Sequence, residues 1–257
     1  MRSGVPRLVP AFATALLLIA SAPAGAAVTV VFGTSWDGPG QSLQAILDGI
    51  YGAGQIDVAT DYLGAKPGDP DPWFWIDNQF TSLLVREVAG NADYNQVGWY
   101  EETGSLPVLA NDGVHDGMVF DGPAGAGAAT VVVFQNPMTR FGFYLDPNGP
   151  GDAVNAPQPE KFYTNRLLND RGLDGSTALH APWNGDVQAL VFDISRFTKP
   201  NTWLVCWEDL DSGAVPGANG ASQTDNDFQD LVMEVTALGA TPARAMSFGA
   251  LKARYAR

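Results

Sequence analysis

The sequence predicts an all-β protein: an antiparallel, jelly-roll-like β-sandwich with one short N-terminal helix. Three observations carry this reading. Short runs rich in β-branched and aromatic residues recur along the chain, clusters of Gly, Pro, Asp and Asn separate them, and only one stretch places apolar residues at helical spacing.

In chain order, residues 1–26 read as a secretory signal peptide. Arg2 and Arg7 give a basic start, Leu8 to Ala22 a short apolar middle, and Ala24-Gly25-Ala26 a small-residue end. The apolar run falls short of the roughly 20 residues that span a bilayer, and no later stretch approaches that length. The expected organisation is therefore a leader (1–26), a sandwich domain (27–238) and a basic C-terminal tail (239–257).

Ser42 to Tyr51 is the predicted helix. Leu43, Ile46, Leu47 and Ile50 recur at spacings of three and four, Ser42 caps the start and Gly52 the end. The predicted strands are Val28–Phe32, Gln55–Tyr62, Ser82–Val88, Gln96–Glu101, Gly117–Phe120, Thr130–Gln135, Arg140–Leu145, Gln188–Asp193, Thr202–Trp207 and Asp230–Thr236. In the tail, Phe248, Leu251 and Tyr255 share one helical face beside Lys252, Arg254 and Arg257, which reads as a short cationic amphipathic helix or a frayed end.

The chain carries 28 Asp and Glu against 14 Lys and Arg. Two of those Arg leave with the leader, so the exported remainder is more acidic still and repels nucleic acid and anionic lipid. The single cysteine, Cys206, excludes an internal disulfide, although export would lead into an oxidising compartment. Bound metal is the other usual staple, and Asp-rich, Gly-rich turns make calcium the first candidate.

The most informative stretch runs from Trp207-Glu208-Asp209-Leu210-Asp211, through a Gly-rich loop, to Asp225-Asn226-Asp227-Phe228-Gln229-Asp230. Between Glu208 and Asp230 lie six carboxylates and no Lys or Arg. Same-face neighbours on a strand are about 7 Å apart, where two such charges repel by roughly 2 kcal/mol at an effective dielectric near 20. One reading places a calcium ion among them, because calcium takes six to eight hard oxygen ligands in adaptable geometry. The other is a solvated hairpin loop whose Asp and Asn serve turn chemistry. No His or paired Cys lies in the stretch, which argues against zinc.

Several segments together carry a family resemblance. They are Gly90-Asn91-Ala92 with Gly98-Trp99-Tyr100, Phe141-Gly142-Phe143-Tyr144-Leu145, Lys161-Phe162-Tyr163-Thr164 with Leu168-Asn169, His180, and the acidic stretch above. This pattern resembles a bacterial family of secreted domains of unknown function, common among PEP-CTERM proteins that exosortase sorts to the envelope. Its terminal signature is approximately EDL, a Gly-rich gap, then (S/T)DxDYND before an apolar strand. The resemblance implies an exported or envelope location and calcium held by Glu208, Asp209, Asp225, Asp227 and Asp230. Two departures stand out: Gln229 occupies the family's Asn position, and the PEP-CTERM anchor itself is missing.

Other constellations are weaker. Asp146-Pro147-Asn148-Gly149 with Asp152, and Asn111-Asp112-Gly113 with Asp116-Gly117, read as plain turns. Trp73, Phe74 and Trp75, together with Trp99, form aromatic clusters that either pack in the core or stack on glycan rings. Asp93-Tyr94-Asn95-Gln96 faintly echoes Asp227-Phe228-Gln229-Asp230, which reads as chance or as a recurring turn type. His115 and His180 are the only histidines, and no HExxH, GxSxG or P-loop occurs.

Three function classes follow. The first is a non-enzymatic, calcium-stabilised extracellular module for surface, matrix or glycan binding. The second is a polysaccharide-active enzyme on the same fold. The third is a structural subunit of an envelope layer or filament.

Overall fold

A computed structural model describes residues 30, 32, 38–67, 69, 74–89, 92–135, 139–147, 161–169, 187–210 and 226–237. All of these belong to one compact unit, residues 25–245. The expected leader and the basic tail lie outside the described residues. No helix among the described residues is long and apolar enough to cross a membrane.

One helix, α1 (Leu43–Tyr51), precedes ten strands: β1 (Trp75–Asp77), β2 (Gln79–Glu87), β3 (Gln96–Glu101), β4 (Asp116–Phe120), β5 (Ala129–Val133), β6 (Thr139–Asp146), β7 (Phe162–Tyr163), β8 (Ala189–Asp193), β9 (Thr202–Trp207) and β10 (Leu231–Ala237). Every pairing is antiparallel. The first sheet runs β1–β6–β3–β4, with β7 also on β6; the second runs β5–β2–β10–β9–β8. The predicted all-β sandwich is thus the observed fold.

One face of each sheet forms the main core. Trp75, Phe141, Phe143 and Val97 of the first sheet share it with Phe80, Leu84, Trp203, Val205, Trp207, Leu231, Met233 and Val235 of the second. Phe80 stacks on Phe141 with ring centroids 5.1 Å apart, and Trp75 meets Phe143 edge-on at 5.2 Å. Each such buried ring contributes about 1.5–3 kcal/mol through loss of contact with water.

The second sheet is covered on its other face as well. Leu43, Ile46 and Leu47 of α1, with Ile56, Val58 and Tyr62 after it, pack with Leu190, Phe192, Leu204, Cys206 and Val232. This double cover explains β9, whose six residues TWLVCW are all buried. Alternate residues serve opposite layers: Trp203, Val205 and Trp207 face the first sheet, Leu204 and Cys206 the helix side.

The helix matches its prediction closely. The Ser42 hydroxyl accepts from the Ala45 amide at 3.3 Å, and Gly52 ends the helix at φ 100°, a backbone angle only glycine takes readily. Ile50, expected on the buried face, is exposed.

Two strand expectations are corrected. Residues 55–62 form consecutive turns and no strand. The cause is Asp57: its carboxylate accepts from the Ala59 amide at 2.9 Å, its carbonyl accepts from Asp61 at 2.9 Å, and its own amide donates to the Asp61 carboxylate at 3.0 Å. Local side-chain partners thereby replace a strand ladder, while Ile56 and Val58 still reach the core. Of Val28–Phe32, Val30 and Phe32 are described and neither is in a strand. The short strands β1 and β7, three and two residues long, were not anticipated, because so few residues carry no periodicity.

Candidate metal centre

Antiparallel register builds the site. Trp207, the last residue of β9, pairs with Leu231, the first of β10. Glu208 follows Trp207 and Asp230 precedes Leu231, so the pairing of the two strands brings these acids together across their sequence separation.

Glu208 is 0% exposed, Asp209 3% and Asp230 7%, and one carboxylate oxygen from each lies within 4.8 Å of the others. At that separation each charged pair repels by about 3 kcal/mol at an effective dielectric near 20. The Asp230 carboxyl is pushed well above the usual carboxylate range, first by burial and then by the charges of Asp209 and Glu208. Backbone donors offset part of this: the Asp209 amide donates to Asp230 Oδ2 at 2.8 Å, and the Asp227 amide donates to Glu208 Oε2 at 3.0 Å.

Of the five expected ligands, Glu208, Asp209 and Asp230 converge. Asp227 is buried beside them, but its carboxylate is engaged elsewhere: it accepts from the Gln229 backbone amide at 3.2 Å and from Gln229 Nε2 at 2.8 Å. Gln229 therefore holds Asp227 through both its backbone and side-chain amides. Asp225 lies outside the described residues. The loop that delivers these groups is bent through left-handed backbone at Asn226 (φ 50°) and Phe228 (φ 57°). An aromatic residue takes that conformation at a cost, here set against the burial of the Phe228 ring in the helix-side layer.

Two further groups, not anticipated as ligands, reach the cluster from the end of β2 and from the β2–β3 connection. Asn95, 1% exposed, donates Nδ2 to Asp209 Oδ2 at 3.0 Å. Glu87, the last residue of β2, lies close enough to Asp209 and the Asn95 amide for each to act on its carboxyl. Burial first, then the Asp209 and Asp93 charges, push that carboxyl up to about 8, while the Asn95 amide pulls it the other way. The amides of the two echoing segments have different acceptors, Asp209 for Asn95 and Asp227 for Gln229, so the echo between Asp93-Tyr94-Asn95-Gln96 and Asp227-Phe228-Gln229-Asp230 does not mark a shared ligand role.

The donor set fits a hard divalent cation. It is all oxygen, enclosed and several times negative, which suits calcium far better than zinc. Ligands about 2.4 Å from a shared calcium must lie within about 4.8 Å of each other, as these three do. Two buried oxygens at its border, Asn95 Oδ1 and Glu87 Oε1, have no hydrogen-bond partner among the described residues.

The other candidates resolve differently. Trp75 is 0% and Trp99 2% exposed, both in the main core, so neither ring is available to stack on a glycan; Trp73 lies outside the described residues. Asp116 accepts from the Asn111 and Asp112 amides at 2.7 and 3.2 Å, which makes that segment a turn held by its own acid. Asp146 pairs with Lys161. Exposed His115 bonds to Asp112 at 2.8 Å, and His180 lies outside the described residues. Cys206 is a fully buried free thiol whose burial raises its pKa well above the usual range.

Fold and site together define an antiparallel β-sandwich with a buried acidic cluster at the end of its two central strands. Comparison with protein-family models, curated proteins and solved structures found no match.

Proposed function

We propose that this chain is an exported, calcium-stabilised β-sandwich module that binds a glycan, matrix or envelope component and performs no catalysis. The observation that carries the calcium reading is the convergence of Glu208, Asp209 and Asp230, all buried, with oxygens within 4.8 Å. Enclosure supports a structural role for that ion, since carboxylates so little exposed leave no room for a substrate to reach them. Export rests on the pattern of residues 1–26 and on the resemblance to secreted envelope domains.

The test is the melting temperature of the exported form with chelator and with calcium. An ion held only by the folded state stabilises by about 2.7 kcal/mol at a hundred times its dissociation constant. In a domain of this size that corresponds to an increase of about 5–10 °C. Identical melting in chelator and calcium would remove the ion from the account.

A further inference from the structure

We propose that Asn95 is a further calcium ligand, presenting its side-chain amide oxygen to the ion where its NH2 now stands. The cation thereby binds the first sheet to the second. This deepens the calcium reading above and rests on it.

The argument begins with the side chain's present partners. Asn95 Nδ2 donates to Asp209 Oδ2 at 3.0 Å, and Glu87 borders the same amide. A partly positive NH2 therefore stands where acids gather. Its companion oxygen, Oδ1, is buried without a hydrogen-bond partner among the described residues, on a residue only 1% exposed. A buried carbonyl left unpaired is costly, so this orientation is a compromise: the amide satisfies the acids and sacrifices its own acceptor.

A half-turn about the terminal bond exchanges the two atoms, which are nearly equal in size. The oxygen would then stand about where Nδ2 is now, 3.0 Å from Asp209 Oδ2. Two oxygens so placed repel unless a cation lies between them, and calcium readily accepts a side-chain amide oxygen. The exchange gives the oxygen a cation as partner and moves the NH2 to the place Oδ1 now occupies. Three carboxylates alone supply fewer oxygens than calcium usually takes unless several bind through both, so a neutral oxygen has a place to fill.

The consequence is mechanical. Asn95 immediately precedes β3 in the first sheet, whereas Glu208 and Asp230 flank β9 and β10 in the second. An ion shared among them crosses the interface between sheets, at the end where the Asn95–Asp209 hydrogen bond already joins them.

The experiment is calorimetric titration of calcium into the exported protein and into Asp230→Asn, Asn95→Ala and Asn95→Asp, with circular dichroism in chelator to confirm folding. Wild type binds, and Asp230→Asn loses most of its affinity. Asn95→Ala weakens binding by about tenfold or more, which a residue that only positions Asp209 would also produce. Asn95→Asp separates the two roles, because it keeps an oxygen and loses the NH2. A ligand oxygen predicts affinity equal to wild type or tighter, whereas a positioning donor predicts a loss as large as that of Asn95→Ala. Silence from wild type would sink the calcium reading itself. Binding by wild type with Asn95→Asp as weak as Asn95→Ala, or with Asn95→Ala unchanged, would overturn the Asn95 proposal alone. Should Asn95→Asp unfold in chelator, hydrogen exchange of wild type decides: calcium must slow exchange across residues 92–97, and unchanged exchange there with binding intact contradicts the clamp.

Discussion

At the residue scale the account turns on charge. Asp230 lies beside Glu208 and Asp209 at the end of the β9–β10 pair and receives the Asp209 amide at 2.8 Å, so its carboxylate is fixed in place among others of the same sign. Asp230→Asn keeps the shape and the acceptor but removes one charge. Without metal the variant is expected to be more stable than wild type by about 1–3 kcal/mol, the scale of one relieved repulsion. With calcium the order reverses, because a ligand has been weakened. Paired urea titrations in chelator and in calcium check this, and an unchanged order in the two conditions would contradict it. Tryptophan makes the complementary point: Trp75 and Trp99 are large and amphipathic enough for glycan stacking, but the alternation of their strands turns both rings into the sandwich.

At the element scale, α1 and the tyrosine layer illustrate what local chemistry does and does not determine. Ser42 accepts from Ala45, so Ser42→Ala removes the cap and is expected to cost about 0.5–2 kcal/mol by thermal or urea unfolding. No measurable loss would mean that the helix is held by its packing alone. On the outer face of the first sheet, Tyr100, Tyr144 and Tyr163 pack with Leu168. Burial, then the charges of Asp116 and Asp146, push the Tyr144 hydroxyl up to about 12. The folded state thus keeps a proton that the unfolded chain releases near pH 10. The stability this contributes is complete below about pH 10 and is lost as pH rises through about 12. Absorbance titration of tyrosinate, followed alongside unfolding, checks the sign; ionisation of every tyrosine near 10 in the folded protein would contradict it. The helix and the long strands were legible in sequence because periodicity and caps are local. Residues 55–62 were not, since Asp57 and Asp61 satisfy that backbone through turns while the apolar residues keep a strand-like alternation.

At the scale of the whole molecule, the two central strands β9 and β10 gain their burial from layers on both sides, and their shared end carries the acids. The acidic cluster was legible as a composition: carboxylates without counter-charge around a Gly-rich loop. Which of them meet was not, because that depends on the β9–β10 register and on the arrival of Glu87 and Asn95 from the end of β2 and the β2–β3 connection, more than a hundred residues away. The most direct measurement of the central claim is anomalous diffraction from crystals of the exported protein grown with calcium. The account predicts one strong peak about 2.3–2.6 Å from oxygens of Glu208, Asp209 and Asp230. A featureless map there, with the three carboxylates ordered and bonded to water, would contradict it.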